Sequence, residues 1–192
     1  MYQLIALLFG YLLGGVPFGY IIVKASGMGD VRKIGSKSTG ATNVLRTGKK
    51  WLAALTLALD FLKAAAAYWI AEWIVPGAGI LAGAAAVVGH CFPVWLKFKG
   101  GKGFASTLGF LFAVSPLLWL ICSAIWLIVA FATKISSVAA LFVLAAAPSV
   151  AWFLGQGWAV VFAIAFLSLL GIIRHRENIK RLASGTESKI KL

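Results

Sequence analysis

FASTLGFLFAVSPLLWLICSAIWLIVAFAT, residues 104–133, contains no acidic or basic side chain. Apolar runs beyond about 18 residues read as membrane-spanning helix, because lipid satisfies no backbone N–H or C=O and the chain must close its own hydrogen bonds. Residues 135–173 form a second such run. The composition agrees: 61% hydrophobic and 12% charged residues, with mean hydropathy +0.96, lie outside the range of soluble domains. Residues 1–23 are also uncharged. They lack the basic start and small-residue cleavage site of a signal peptide, so they read as a retained first span. Cys91 and Cys122 have no CxxC spacing, and neither a disulfide framework nor a zinc site is expected. The fold class is therefore an all-α integral membrane protein, with residues 1–192 forming one polytopic domain.

The net charge of +13 does not imply a nucleic-acid partner. Cytoplasmic loops of membrane proteins collect Lys and Arg, and only Lys63 falls inside an apparent span. The distribution of charge predicts a topology. Spans at residues 1–23, 51–75 and 78–96 alternate with basic blocks and an uncharged turn at Pro76 and Gly77. Residues 104–133 form two short or tilted arms turning at Ser115 and Pro116, since the residue before proline is biased away from helix. Residues 135–154 and 158–173 close the set. This gives seven transmembrane helices, with the N-terminus outside, the C-terminus cytoplasmic and every basic block on one face.

Three polar blocks carry the chemistry: GSKSTGATNVLRTGKK (residues 35–50), GHCFPVWLKFKGGKGFA (89–105) and RHRENIKRLASGTE (174–187). They lack the spacings of a P-loop, a zinc protease or a hydrolase elbow. The HxxxxD spacing of thioester-dependent acyltransferases is missing too, since Trp95 follows His90 and Lys180 follows His175. Asp30 and Asp60 are the only aspartates, too few for an aspartate-rich metal motif, and no metal site is expected. What remains are parts that hold phosphate. Gly40, Ala41, Thr42 and Asn43 offer backbone amides beside Arg46, Lys49 and Lys50, and Gly100, Gly101 and Gly103 surround Lys102. Arg46 can grip phosphate bidentately, whereas Lys102 acts as a point charge. Asp60 and Lys63, three apart on one helix face, read either as a self-compensating pair or as a polar cluster turned toward the glycine blocks; intramembrane charges favour the second. His90, beside Phe92 and Pro93 at a span end, reads as structural.

Across its whole length the chain resembles the bacterial membrane-integral glycerol-3-phosphate acyltransferases that use acyl phosphate, the PlsY family. The resemblance rests on Ser36 and GATNVLRTGKK, on Asp60 and Lys63, on GHCFPVWLKFKGGKGFA, and on RHRENIKRL with Gly185 and Glu187. Lys37 and Ser38 depart from the family's usual Gly-Asn, and Ala64 from its usual glycine. The resemblance implies acyl transfer from acyl phosphate to the 1-hydroxyl of sn-glycerol 3-phosphate, giving lysophosphatidic acid and phosphate. No cofactor, coenzyme A or acyl carrier protein takes part. It also implies a monomeric, multi-pass protein of the bacterial inner membrane, in contact with membrane lipid.

Roles follow on that basis. Gly100, Gly101, Lys102 and Gly103 bind the donor phosphate, with Ser36 and Thr42 as hydroxyl donors. Arg46, Lys49, Lys63 and Arg181 bind the acceptor phosphate. Asn43 and Asn178 donate to the oxyanion. Gly40, Ala41, Asp60 and Glu187 support the site. The hydroxyl proton goes either to His175 or to a substrate phosphate oxygen, and Ser36 as a covalent nucleophile ranks lower because no base adjoins it. Two other classes fit parts of the pattern: an organic-phosphate transporter, which should show inverted repeats, and a structural subunit, which leaves the glycine–lysine blocks without purpose.

Overall fold

The computed structural model describes residues 1–190. They form ten α-helices: α1 (Tyr2–Gly14), α2 (Phe18–Ala25), α3 (Ala41–Leu45), α4 (Lys50–Ile74), α5 (Gly79–Cys91), α6 (Phe104–Val114), α7 (Pro116–Thr133), α8 (Ser136–Phe153), α9 (Trp158–Arg174) and α10 (Arg176–Ala183). No strand occurs among the described residues. Large apolar side chains such as Trp73, Ile128, Phe131, Phe153 and Phe166 face outward, as lipid-facing surfaces require. Phe110, Leu118, Ile164 and Leu167 fill the interior.

Five segments are long and apolar enough to cross a membrane: Tyr2–Ala25, Lys50–Ile74, Gly79–Leu96, Pro116–Thr133 and Ser136–Phe153. Helices α9 and α10, bent by 54°, make a sixth when taken together. The expected first span is broken. α1 ends at Gly14 and α2 restarts at Phe18, because Pro17 has no N–H to continue the ladder. Its early part packs on α5 through small residues: a Cβ on Gly10 or Gly14 would collide with the backbone of Ala82 or Ala86. Close helix approach through small residues is the main packing device in lipid, where no hydrophobic force pulls helices together.

Residues 104–133 divide where the proline predicts. α6 stops at Val114, Ser115 turns extended, its hydroxyl accepts from Leu118 N at 3.3 Å, and Pro116 opens α7. At 11 residues α6 covers only about 16 Å, roughly half a hydrocarbon core. It nevertheless reverses the chain direction, so that Lys134 returns to the end where the third block lies: Ile190 N donates to Lys134 O at 2.8 Å.

Candidate functional site

The three polar blocks converge at one end of the bundle around a cavity of about 580 Å³. The first block contributes Ser36, Gly40, Ala41, Thr42 and Arg46. The second contributes Lys102 and Gly103, and the third His175, Asn178 and Glu187. Asp60 and His90 line it from within the bundle, Asp60 lying about 15 Å along α4 from Lys50. Leu57, Phe104, Ala105 and Ala140 make an apolar wall between helices. One cavity thus joins a cationic, hydroxyl-rich mouth to a hydrocarbon-compatible side.

Asn43 organises the first block. Its amide donates to Val31 O and Ser38 O, both at 2.8 Å, while its Oδ1 accepts from Ser36 N at 2.9 Å. With both amide hydrogens committed and the side chain buried, Asn43 folds the loop and is not free to donate to an oxyanion. The loop presents the hydroxyls of Ser36 and Ser38, 3.0 Å apart, to the cavity. Lys37 between them has φ +56°, a left-handed conformation that glycine adopts at no steric cost. Across the mouth, Arg46 Nη2 donates to Ser188 Oγ at 2.6 Å. Lys49 is exposed and does not line the cavity.

The second block differs from the expected glycine nest. Gly100 N donates to Cys91 O at 3.2 Å and Gly101 N to His90 O at 3.0 Å, so these amides close the end of α5 and do not face a ligand. The glycines are needed for space: a Cβ on Gly100 would strike His90 O, and one on Gly101 the His90 ring. Their carbonyls accept from Arg174, whose Nε and Nη2 reach Gly101 O at 3.1 and 2.9 Å, and whose Nη2 also reaches Gly100 O at 3.2 Å. This clamp places Lys102 in the cavity. Burial, together with the guanidiniums of Arg181, Arg46 and Arg174, lowers the Lys102 ammonium to a pKa of about 8, against an opposing pull from Glu187. It remains mostly protonated at neutral pH and has no ion-pair partner among the described residues, the state suited to a phosphate.

The third block begins past the end of α9, where α10 turns away. His175 is buried, and its Nδ1 must donate to Gly171 O at 2.7 Å because a carbonyl only accepts. That fixes the tautomer and leaves Nε2 with a free lone pair in a side chain lining the cavity. Burial lowers the imidazole pKa to about 4, with Lys102 and Arg174 adding to the effect. Glu187 ties the tail to the helices: Oε1 accepts from Ser137 Oγ at 2.9 Å and from Asn178 Nδ2 at 2.6 Å, and Oε2 from Arg181 Nε at 2.6 Å. Burial opposes its ionisation, but these bonds outweigh burial and hold the carboxyl below its usual range. Arg181 therefore faces Glu187 and is not among the cavity-lining residues. Asn178 retains one amide hydrogen, and its Oδ1 is buried without a partner among the described residues.

Lys63 lies on the far side of Asp60. Its Nζ donates to Asp60 Oδ1 at 2.7 Å and to Val16 O at 3.0 Å, so it closes the break between α1 and α2 and does not line the cavity. His90 Nδ1 stands 3.4 Å from the same carboxylate oxygen. Removing one partner of such a buried pair costs about 3–5 kcal/mol. His90, read as structural from its place in the chain, thus also reaches the cavity. Ser38, Ser137, Ser188 and Arg174 are further contributors that sequence reasoning missed. Arg174 and Ser188 adjoin residues that were selected; Ser137 sits in an apolar run that offers no signal. Among the described residues no three His, Cys, Asp or Glu side chains are grouped to hold a metal.

Known proteins resemble this chain over its length. Residues 4–185 match the family model described as glycerol-3-phosphate acyltransferase. The chain is 49% identical over 188 residues to glycerol-3-phosphate acyltransferase 1 of Rhizobium johnstonii, covering 97% of this chain and 91% of that one. It is 52% identical over 187 residues to the Sinorhizobium fredii enzyme, covering 97% and 92%. Crystal structures of PlsY, an integral membrane glycerol 3-phosphate acyltransferase, superpose with TM-scores of 0.94 (glycerol 3-phosphate form) and 0.92 (lysophosphatidic acid form), at 37% and 36% identity. Both alignments cover 100% of this chain and 96% of the other.

Proposed function

The chain belongs to the glycerol-3-phosphate acyltransferase family, and from that premise we propose that it acylates the 1-hydroxyl of sn-glycerol 3-phosphate with acyl phosphate as donor. The reaction runs at the cytoplasmic face of a bacterial inner membrane, without metal, coenzyme A or acyl carrier protein. The carrying observation is the single cavity in which Arg46 and Lys102, from different blocks, face His175 Nε2 beside an apolar wall. Two phosphates need two cationic holds, and the acyl tail needs a wall that opens toward lipid.

In the step itself the acceptor 1-hydroxyl oxygen attacks the acyl carbonyl carbon, and the bond from that carbon to the phosphate oxygen breaks. Inorganic phosphate leaves with the electron pair. Acyl phosphate is a mixed anhydride with a stable leaving group, so positioning and charge stabilisation supply most of the acceleration. Lys102, with Ser36 and Thr42, holds the donor phosphate; Arg46 turns from Ser188 to the acceptor phosphate. The remaining amide hydrogen of Asn178 serves the developing oxyanion.

The proton has two possible sinks, and their basicities differ. Phosphate monoesters have a second pKa near ~6, whereas burial holds His175 at about 4. A substrate phosphate oxygen is the stronger base, so it takes the proton. His175 Nε2 accepts a hydrogen bond from the attacking hydroxyl and orients it.

Purified protein incubated with labelled glycerol 3-phosphate and, separately, acyl phosphate or acyl-coenzyme A tests the donor. Lysophosphatidic acid should form from acyl phosphate, with or without chelator. Product from the thioester alone, or loss of activity in EDTA restored by magnesium, refutes the reading. Absence of any product would favour a transporter or structural role.

A further inference from the structure

A second cavity, of about 750 Å³, opens at the same end of the bundle and shares no lining residue with the first. It lies between the α1–α2 break at Val16 and Pro17 and the turn that follows α5. Val16, Pro17, Ile21 and Leu96 supply apolar walls, and Arg32, Lys97 and Lys99 supply positive charge. Arg32 is ion-paired with Asp30, Nη2 to Oδ2 at 2.7 Å, and stacks over the Tyr20 ring at 4.8 Å. Lys97 and Lys99 take part in no ion pair among the described residues. Asp30 is the only acidic residue near them in either loop, so the cavity carries a net positive charge.

The turn that presents these lysines is strained. Lys97 and Phe98 are consecutive non-glycine residues in the left-handed region, with φ +52° and +61°. Such conformations persist where surrounding structure imposes them, and they concentrate at ligand-holding sites. Hydrogen bonds from Lys97 N to Val94 O and from Phe98 N to Pro93 O, at 3.1 and 3.0 Å, fix this one. The rim identifies the surroundings. Trp95 and Phe98 are more than half exposed, and Ile21 and Val94 stand open beside them. Exposed aromatic and aliphatic side chains mixed with lysines, at the polar end of a membrane bundle, mark the lipid headgroup layer.

We propose that this second cavity binds the phosphate headgroup of an anionic phospholipid. Lys97, Lys99 and the free edge of Arg32 surround the phosphate, Tyr20 and Trp95 sit at headgroup depth, and the acyl chains lie against Ile21 and Val94. Basic pockets beside membrane helices recognise lipid phosphate in this way. A soluble phosphate would gain the same charges but leave the apolar walls and rim unused.

Native mass spectrometry of the purified protein in detergent tests this without turnover. Dioleoyl phosphatidylglycerol should bind one per chain, about tenfold or more tighter than dioleoyl phosphatidylcholine. Lys97→Asn/Lys99→Gln should remove that preference; Asn tolerates the left-handed backbone and both positions are exposed, so folding is preserved. Arg176→Gln/Lys180→Gln, which removes two exposed cations elsewhere, should leave binding within about twofold, and so should Lys102→Ala in the first cavity. Equal binding of phosphatidylcholine, or equal loss in both double variants, overturns the proposal. So does loss in Lys102→Ala alone, which places the lipid in the first cavity, or full displacement by millimolar inorganic phosphate, which makes the ligand a soluble anion.

Discussion

Replacing His175 by Gln separates the two proton sinks. In this structure His175 gives its Nδ1 proton to Gly171 O and keeps Nε2 unprotonated. Burial brings its pKa to about 4 from the usual imidazole range, so protonating it costs roughly 3 kcal/mol more than in water. The neutral form is favoured in the fold, so its contribution to stability is complete above about pH 6.5 and fades as pH falls toward 4. At pH 6 the imidazole of the unliganded fold is therefore mostly neutral, which assigns a fall in rate there to the substrate. The substrate phosphate, with its second pKa near ~6, loses basicity in that range. Wild-type kcat measured from pH 4.5 to 8 should show an acidic limb near pH 6, and His175→Gln should keep that limb on a rate lowered by about 10²-fold through lost orientation. Thermal unfolding of both proteins at each pH distinguishes loss of fold from loss of rate. Disappearance of the limb in His175→Gln, or its displacement by a full pH unit, refutes the argument and makes His175 the base.

Other perturbations test the remaining parts. Lys102→Ala and Arg46→Ala should each lower kcat/KM by at least ~10²-fold while elution and melting in detergent stay unchanged; a drop below fivefold in either removes that residue from the phosphate hold. The wild-type rate should also decline above about pH 8 as Lys102 loses its proton. Lys102→Arg, always charged in this range, should show no such decline, and a shared alkaline limb would assign it elsewhere. Gly101→Ala forces a methyl into the His90 ring and should lower stability by about 1–3 kcal/mol, read by thermal unfolding. Single cysteines at Gly77, Ser115 and Gln156 should react with an impermeant maleimide from outside intact cells, whereas one at Lys134 should not; external labelling at Lys134 contradicts the placing of every basic block on one face.

How far the site was legible varies from residue to residue. Ser36, Thr42, Arg46, Lys102, His175 and Asn178 could be picked out because an apolar chain has little reason to carry such groups unless they act, and all of them line the cavity. Asn43, Lys49 and Arg181 come from the same blocks and Lys63 from within α4, and none of the four lines the cavity. A motif states which residues are available, but hydrogen-bond partners decide which remain free. Asn43 spends its amide on Val31 and Ser38, Lys63 its ammonium on Asp60 and Val16, and Arg181 its Nε on Glu187, with Nη2 left unpaired among the described residues. Gly100 and Gly101 read from the sequence as a phosphate nest; in the fold their missing Cβ makes room for His90 and their amides close the end of α5.

By itself the sequence determined the solvent, the helical class and the chemical inventory. Those follow from local sums: a run of apolar side chains crosses lipid wherever it occurs, and the Ser115-Pro116 break is set by one missing N–H and one hydroxyl cap. Tertiary structure decided what no local sum contains. It used Lys63, 47 residues on, to satisfy the Val16 carbonyl at the break before α2. It brought His90 and Ser137 to the cavity and laid Glu187 and Ser188 across it. These are contacts between residues far apart in the chain, fixed by which helices pack together, and their pairings exist only once the bundle has closed.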